Sequence, residues 1–375
     1  MNHFQRRKGQ LCCEDVPLSE LAEEVGTPAY VYSTATLLRH ARVFRSALRG
    51  LDLLACFAVK SAPNLALLAL LAREGLGFDI VSGGELFRVL QAGGDPRKVV
   101  FSGVGKRQEE MAAALEAGIL QFNCESEEEL QQLSRERVVR TYRLAASLPG
   151  IRAVGVACHI GSQIASLKPF AEAAVKMRAL VSRLREDGHD IRRLDMGGGL
   201  GVPYGDGPEP PSPRQYGEAL VGVLEGLDVK VLVEPGRLLA ANAGVLLARV
   251  LLRKQGHGSR RFVVVDAAMN DLLRPALYQA YHEVEPVARP RRGTEVVDVV
   301  GPVCESADVL AKRRRVPPLE AGDLLVLRTA GAYGMAMASQ YNARPRPVEV
   351  LVEGRSWRVI RARESYKDLI RGESP

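Results

Sequence analysis

Between about Ser33 and Ala243 the sequence alternates between short apolar runs and longer amphipathic stretches. Residues 53–60 (LLACFAVK) have the composition of a buried strand, and residues 64–75 (NLALLALLAREG) that of a helix ended by glycine. This succession of strand and helix occurs at least seven times. It predicts parallel strands with crossover helices, and the absence of an interrupting domain favours an α/β barrel over an open sheet.

After about residue 244 the apolar runs become rich in β-branched residues and are separated by glycine and proline. This composition predicts a second, mainly β domain. Residues 27–33 (TPAYVYS) also have strand composition and precede the barrel. We therefore predict a TIM-like barrel over residues 34–242 and a C-terminal mainly β domain, formed by residues 243–375 together with residues 1–33.

Charge and cysteine content narrow the classes of function. The formal net charge of +7 permits an anionic substrate, a nucleic acid or a membrane surface as partner. The basic runs at 289–292 and 312–315 are short and lack interleaved aromatic residues, so we interpret them as solvated loop charge rather than a nucleic-acid surface. The six cysteines include an adjacent pair and show no zinc spacing, which predicts no metal site and a reducing compartment.

No targeting or membrane segment is predicted. The first ten residues lack the apolar core of a signal peptide. The longest apolar run, residues 65–72, is far shorter than the ~20 residues that a membrane span needs. We expect a soluble, cytoplasmic protein.

Two candidate residues for chemistry follow predicted strands. Lys60 ends the strand at the mouth of the barrel, where partial desolvation lowers the pKa of an amine and favours a Schiff base with an aldehyde. Taken alone, this position better fits a lysine whose side chain simply extends to water. His159 (CHIGSQ) can stack on a cofactor ring or move protons, although a lone histidine is more often structural.

Two further motifs lie at strand ends. The glycines at 197–199, with Gly201, can let backbone amides approach a phosphate, or can simply make a tight turn. In the segment 234–237 (EPGR), a carboxylate can keep a ring nitrogen protonated and an arginine can bind a carboxylate or phosphate. A surface turn with an ion pair is the alternative for this segment.

The β-rich part carries the remaining candidates. Cys304 stands beside Glu305, and such a thiol can donate a proton to a carbanion if its pKa is suitable, although a buried inert cysteine is commoner. Arg274, Tyr278 and Tyr333 can bind phosphate or a substrate carboxylate. A surface arginine and packed tyrosines are the alternatives.

Taken in order, eight segments resemble diaminopimelate decarboxylase, a barrel-type, alanine-racemase-like pyridoxal phosphate enzyme, over about residues 27–366. They are FAVKSAPN, GFDIVSGGEL, CHIGSQ, LDMGGGLGVPYG, EPGR, VDAAMNDLLRPALY, GPVCESAD and GAYGMAMASQYN. The resemblance implies pyridoxal 5′-phosphate as cofactor, meso-diaminopimelate as substrate and L-lysine as product. It also implies a homodimer with shared active sites, in which Cys304 and Glu305 reach the site of the other subunit.

The resemblance implies a role for each candidate residue. Lys60 binds the cofactor covalently, His159 stacks on its ring, and Cys304 donates the proton. Glu234 meets the ring nitrogen. The implied cofactor contacts are Lys60, His159, Gly198, Gly199, Glu234, Pro235, Gly236, Arg237 and Tyr333. The implied substrate contacts are Arg237, Arg274, Tyr278, Glu305 and Tyr333.

The sequence departs from the family after Arg135. The family's Arg-Val-Asn-Pro strand and Lys-Phe-Gly loop are absent, a loss of roughly forty residues, or about one βα unit of a barrel that usually has ~250 residues. Such a loss leaves two edges unpaired or requires a replacement, for which residues 136–142 are a candidate with more helical character. Three alternatives therefore stay open: a decarboxylase of ornithine, arginine or another basic amino acid, a non-catalytic cofactor-binding relative, and a racemase, which would need a second proton donor.

Overall fold

The computed structural model describes residues 2–124, 142–143, 145–205, 207–289 and 291–374. The chain divides into two compact units. The parallel-sheet unit consists of His40–Val202 and Glu209–Gly236. The mixed-sheet unit consists of Met1–Arg39, Pro203–Pro208 and Arg237–Pro375. Among the helices of the described residues, none combines the length and apolar character needed to cross a bilayer.

The strands, in chain order, are β1 (Phe4–Arg7), β2 (Gln10–Cys13), β3 (Val16–Pro17), β4 (Ala29–Ser33), β5 (Leu53–Ala58), β6 (Gly77–Ile80), β7 (Val99–Phe101), β8 (Gln121–Phe122), β9 (Gly155–Ala157), β10 (Arg193–Asp195), β11 (Lys230–Val233), β12 (Gly244–Gln255), β13 (Arg261–Val265), β14 (Val284–Pro286), β15 (Glu295–Val300), β16 (Val309–Val316), β17 (Leu324–Leu327), β18 (Val348–Glu353) and β19 (Ser356–Arg361).

The α-helices whose bounds lie within the described residues are α1 (Leu18–Val25), α2 (Thr34–Ala47), α3 (Leu65–Arg73), α4 (Gly83–Gln91), α5 (Gln108–Glu116), α6 (Lys168–Glu186), α7 (Pro213–Leu224), α8 (Arg237–Ala240), α9 (Arg274–Tyr278) and α10 (Tyr366–Leu369). Short 3-10 turns occupy Val59–Ser61, Pro96–Lys98, Ala241–Ala243, Met335–Met337 and Tyr341–Ala343.

The parallel-sheet unit contains seven strands in the order β8-β7-β6-β5-β11-β10-β9, and all of its pairs are parallel. The outer strands β8 and β9 are consecutive among the described strands, and no described strand pairs with the outer edge of either. The prediction of an α/β barrel that lacks about one unit is therefore confirmed as a curled, incomplete sheet. Residues 136–141, most of the candidate replacement, lie outside the described residues.

Burial explains why the neighbouring strands β5, β6 and β7 consist mainly of apolar residues. Phe57, Phe78 and Phe101, in β5, β6 and β7, are fully buried, as expected for a parallel sheet covered by helices. One helix contact demands glycine: a Cβ on Gly217 of α7 would lie 1.9 Å from the backbone oxygen of Ala47. These strands and helices fix the carboxyl ends of the strands along one edge.

The mixed-sheet unit is built on a nine-stranded sheet whose main path runs β16-β15-β13-β12-β4-β18-β19, with β17 and β14 paired beside β12. The twelve-residue strand β12 pairs with β13, β17 and β4. Strands β1 to β3 form a separate small sheet. The basic run at 312–315 was wrongly predicted as loop charge, because it lies within β16, the outer strand of the large sheet.

Candidate active site

Four of the predicted site residues lie at the carboxyl ends of neighbouring strands in the parallel-sheet unit. Lys60 follows β5, His159 follows β9, Gly198 follows β10 and Glu234 follows β11. Parallel strands present these ends along one edge, which is where such sheets bind ligands. The edge therefore brings together the groups that sequence reasoning selected one at a time.

The amine of Lys60 is half exposed and faces a buried carboxylate. Its Nζ lies 3.5 Å from Oδ2 of Asp79, whose side chain is 1% exposed. Burial raises the pKa of Asp79 to about 6, against the opposing charge of Lys60. Because Asp79 remains largely ionised at neutral pH, it holds a countercharge beside an amine that solvent can reach.

A chain of hydrogen bonds connects four buried side chains beside Lys60. The Nδ2 amide of Asn123 donates to Oδ2 of Asp195 at 3.0 Å and to Oγ of Ser102 at 3.3 Å. Ser102 Oγ in turn donates to Oε1 of Glu234 at 3.3 Å. The residues come from the ends of β7, β8, β10 and β11, so the chain crosses the concave face of the sheet.

Burial sets the protonation of the two carboxyls in this chain. Burial raises the pKa of Glu234 well above its usual range, and the charges of Asp195 and Asp79 raise it further. Burial also raises the pKa of Asp195, against the hydrogen bonds that it accepts from Gly197 N, Asn123 and Glu234. Glu234 is thus the carboxyl group more readily kept neutral.

The glycine loop after β10 holds His159. The Gly198 N–H donates to Nδ1 of His159 at 3.2 Å, which leaves Nε2 as the nitrogen that carries the proton of a neutral ring. A Cβ on Gly198 would lie 2.4 Å from the backbone oxygen of Glu234, and one on Gly197 would lie 2.5 Å from that of Cys158. Only glycine permits this approach of backbone segments.

A second cluster of predicted residues lies in the mixed-sheet unit. Nη1 of Arg237 donates to the Tyr204 hydroxyl at 2.7 Å, and the guanidinium of Arg237 stacks 4.9 Å from the centroid of the Tyr333 ring. The guanidinium of Arg274 lies 4.7 Å from the Tyr204 ring centroid. Its Nη1 is 3.1 Å from Nε2 of the buried His282. Arg274 is itself buried, so the alternative of a surface arginine is wrong.

The remaining predicted residues of this unit are on the surface of the chain. Cys304 and Glu305 are exposed, and Tyr278 is 63% exposed. The Tyr341 hydroxyl donates to Oε2 of Glu305 at 3.4 Å. The alternative of a buried, inert Cys304 is therefore wrong for the single chain.

Sequence reasoning missed Asp79, Ser102, Asn123 and Asp195. A usable signal was present for Asp79, which interrupts the apolar strand segment GFDI, where a carboxylate is costly unless it is bonded. The signal for Asp195 was weaker, because two arginines precede it by two and three residues. Tyr204 and His282 were also missed, and they carried no comparable signal. The Tyr204 contacts join residues at least 33 positions apart in sequence, and His282 contacts Arg274 eight positions away across the end of α9.

These residues fit pyridoxal phosphate. The Lys60 amine is accessible to an aldehyde, and the buried acid Glu234 suits a ring nitrogen. Oδ1 of Asp79 is a buried oxygen without a hydrogen-bond partner among the described residues. The glycine-rich backbone after β10 has no side chains to exclude a phosphate.

Comparisons with known proteins identify the family. The family model described as "Pyridoxal-dependent decarboxylase, C-terminal sheet domain" matches residues 29–331. A curated diaminopimelate decarboxylase of Vibrio cholerae is 46% identical, with 98% of each chain covered. The crystal structure of AQ1208 from Aquifex aeolicus has a TM-score of 0.94 and 40% identity, covering 98% of this chain and 97% of that one. A diaminopimelate decarboxylase from Helicobacter pylori, complexed with L-lysine, has a TM-score of 0.88 and 36% identity, covering 94% and 98%.

The comparison with the Vibrio cholerae relative also gives a difference in length. The alignment with the Vibrio cholerae relative extends over 413 positions. Because this chain has 375 residues, at least 38 of those positions have no counterpart in it. The difference agrees in size with the unit that the sequence lacks after Arg135. Despite this loss, the chain belongs to the diaminopimelate decarboxylase family of pyridoxal-dependent enzymes.

Proposed function

We propose that this protein decarboxylates meso-2,6-diaminopimelate to L-lysine with pyridoxal 5′-phosphate as cofactor. The observation that carries the proposal is the placement of an accessible amine, Lys60, and a buried acid, Glu234, after the paired strands β5 and β11 in a chain of this family. The L-lysine bound in the Helicobacter pylori relative supports the product.

Each of the proposed site residues would have a distinct task. Lys60 would bind the aldehyde of the cofactor, His159 would cover the ring, and Glu234 would meet the ring nitrogen. When bound, the cofactor supplies the electron sink that stabilises the carbanion left by loss of CO2. Cys304 returns a proton to that carbon. The other proposed cofactor contacts are Gly198, Gly199, Pro235, Gly236, Arg237 and Tyr333.

Substrate recognition is assigned to charged and hydroxyl groups. Arginine binds a carboxylate in bidentate fashion, which suits Arg237 and Arg274 to the carboxylates of the substrate. Glu305 suits the distal ammonium group, and Tyr278 and Tyr333 can donate hydrogen bonds. We propose these five residues as the substrate contacts.

We further propose a cytoplasmic homodimer with shared active sites. Cys304 and Glu305 are exposed in the single chain, which leaves them accessible to another subunit. All six cysteines are free, in keeping with a reducing compartment. A symmetric dimer would place each Cys304 at the site of the partner subunit.

The absorbance spectrum of the purified protein tests cofactor attachment. After incubation with pyridoxal phosphate and removal of the unbound excess, we expect a visible band that borohydride removes and that Lys60→Ala lacks, because borohydride reduces the C=N bond between lysine and the aldehyde to a stable amine. Lys176→Ala, on the exposed face of α6, is the matched control and should keep the band. A wild-type protein without this band under saturating cofactor would refute the cofactor proposal.

Product analysis tests the reaction itself. Release of CO2 and formation of L-lysine from meso-diaminopimelate should exceed turnover of ornithine or arginine. A normal band without turnover of any substrate would instead support the non-catalytic alternative. Faster turnover of ornithine or arginine would identify that amino acid as the substrate instead. Interconversion of stereoisomers without CO2 release would indicate a racemase.

A further inference from the structure

Three buried carboxyl groups meet at the carboxyl edge of the parallel sheet. Asp79, Asp195 and Glu234 interact electrostatically, and the carboxyls of Asp195 and Glu234 are hydrogen-bonded to one another. Two carboxylates in such contact cannot both be ionised at low cost, so a pair of this kind holds one proton. The hydrogen bonds around the pair decide which residue carries it.

Both oxygens of Asp195 accept hydrogen bonds from fixed donors. Oδ1 accepts from Gly197 N at 2.9 Å, and Oδ2 accepts from Asn123 Nδ2 at 3.0 Å. Oδ1 of Asn123 itself accepts from Gln121 Nε2 at 2.8 Å, which fixes the amide orientation. A carboxyl group whose two oxygens both accept N–H bonds is stabilised in its ionised form.

The surroundings of Glu234 favour the opposite form. Its Oε1 accepts from Ser102, which leaves Oε2 as the oxygen able to bear a proton and donate to Asp195. From these bonds we propose that Asn123 and Gly197 keep Asp195 ionised, and that Asp195 thereby keeps the carboxyl group of Glu234 protonated in the cofactor-free protein.

The ring nitrogen of a bound cofactor would be the acceptor for the proton on Glu234. Resting on the proposed function, Glu234 would give this proton to the ring nitrogen of the bound cofactor and would remain as the carboxylate that pairs with the protonated ring. The number of protons and the net charge are unchanged by the transfer. Asn123 and Asp195 are then positioning residues, since they act through Glu234.

Other titratable groups also face this pair. Lys60 is the cation, and its charge opposes protonation of Glu234. The ring of His159 interacts with Asp195 and accepts the Gly198 N–H on Nδ1, as a neutral imidazole does. Asp79 is the third carboxyl, and its charge favours protonation of Glu234. The thiols of Cys56 and Cys158 interact with the pair, and burial raises the pKa of both, so they remain neutral at physiological pH.

Infrared spectroscopy of the cofactor-free protein tests where the proton lies. At neutral pH we expect the carbonyl band of a protonated carboxylic acid, shifted by carbon-13 labelling of glutamate side chains and lost in Glu234→Gln. Absence of the band, or its persistence in Glu234→Gln, would overturn the proposal. The result needs neither cofactor nor turnover, so it is independent of whether the proposed function holds.

Asp195→Asn tests the cause of the protonation. Removing the negative charge beside Glu234 should lower the pH at which the glutamate band disappears by about one unit or more. Asp52→Asn removes an exposed carboxylate paired with Lys230 and is the matched control, expected to leave this pH unchanged. An unchanged midpoint in Asp195→Asn would show that Asp195 does not set the proton.

Asn123→Leu tests the positioning residue through a second signature. Without the Asn123 amide, Asp195 should compete for the proton, so part of the acid band should become insensitive to glutamate labelling. A variant in which the whole band remained glutamate-sensitive would contradict the role of Asn123. If Asn123→Leu does not fold, the Asp195→Asn midpoint still decides the proposal.

Discussion

At the scale of single residues, the site retains charges that a folded core would otherwise exclude. Asp79 lies in a strand whose other residues are apolar and buried, and Asp195 follows the buried Leu194 in its strand. Burying a carboxylate costs free energy unless hydrogen bonds or an opposite charge offset it. Asp195 accepts hydrogen bonds from two N–H groups, and Asp79 is paired with the amine of Lys60. Their retention fits a chemical task better than a contribution to stability.

Glu364 shows the reverse case, a carboxylate that stabilises the fold. Its oxygens accept from Arg346 Nε at 2.8 Å, Arg346 N at 2.9 Å and Gln340 Nε2 at 2.9 Å. Partial burial raises the pKa of Glu364, but these bonds outweigh it and lower the pKa to about 2. The stabilisation is therefore complete above the unfolded-state pKa of about 4.3 and is lost as the pH falls towards 2.

Glu364→Gln should lower the free energy of unfolding by about 1–3 kcal/mol at pH 7, because the charged acceptor is lost. Thermal or urea unfolding measured from pH 7 down to pH 3 should show the difference from wild type shrinking below pH 4. The exposed Glu353→Gln is the control and should have little effect. A difference that did not depend on pH would argue against a charge-based origin.

At the scale of elements, β8 and β10 are connected by side chains across the concave face. Nη1 of Arg193 donates to the backbone oxygen of Leu120 at 3.0 Å and to Oε1 of Gln121 at 3.3 Å. The bond from Asn123 to Asp195 makes a second crossing nearer the carboxyl ends. These bonds join opposite sides of a sheet whose outer strands have no described neighbour on one edge.

Arg193→Met should reveal how much this crossing contributes. We expect a loss of about 1–3 kcal/mol in the free energy of unfolding, since two acceptors lose their donor. The visible cofactor band should remain, because Arg193 lies at the opposite end of its strand from the glycine loop. Denaturant unfolding, with absorbance of the same samples, measures both effects.

Arg192→Met provides the matched comparison. Arg192 is exposed and forms an ion pair with Asp190, so its loss should cost less than about 1 kcal/mol. Equal destabilisation by the two substitutions would mean that the crossing by Arg193 has no special importance.

Much of this arrangement of elements could be predicted from the sequence. The apolar run at 53–60 becomes β5, and Asn64 caps the predicted helix, which begins at Leu65. The order of strands could not be predicted, because β5 pairs with β11 although 171 residues lie between Ala58, where β5 ends, and Lys230, where β11 begins. Local sequence patterns carry no information over that distance. For the same reason, sequence alone did not bring Asn123 to Asp195.

At the scale of the whole molecule, the proposed dimer would make each active site depend on two chains. If Cys304 serves the site of the partner subunit, Lys60→Ala and Cys304→Ala each inactivate a different half of one shared site. A mixed dimer should then contain one intact site. Random mixing of the two inactive variants should restore up to about a quarter of wild-type activity, from the symmetry of a dimer.

The assay is L-lysine formation after co-expression of the two variants. Lys60→Ala co-expressed with a Lys60→Ala and Cys304→Ala double variant is the control, and it should stay inactive. If the first mixture also remains inactive while dimers form, Cys304 acts within its own chain or not at all.

The basic strand β16 also matters for how these molecules behave when concentrated. It is an outer strand of the large sheet and pairs with β15 on one side, and it carries Lys312, Arg313, Arg314 and Arg315 in succession. Two such edges approaching in solution would repel one another, which discourages strand-by-strand growth into fibrils. Added salt screens this repulsion, so concentrated stocks should keep best at low ionic strength.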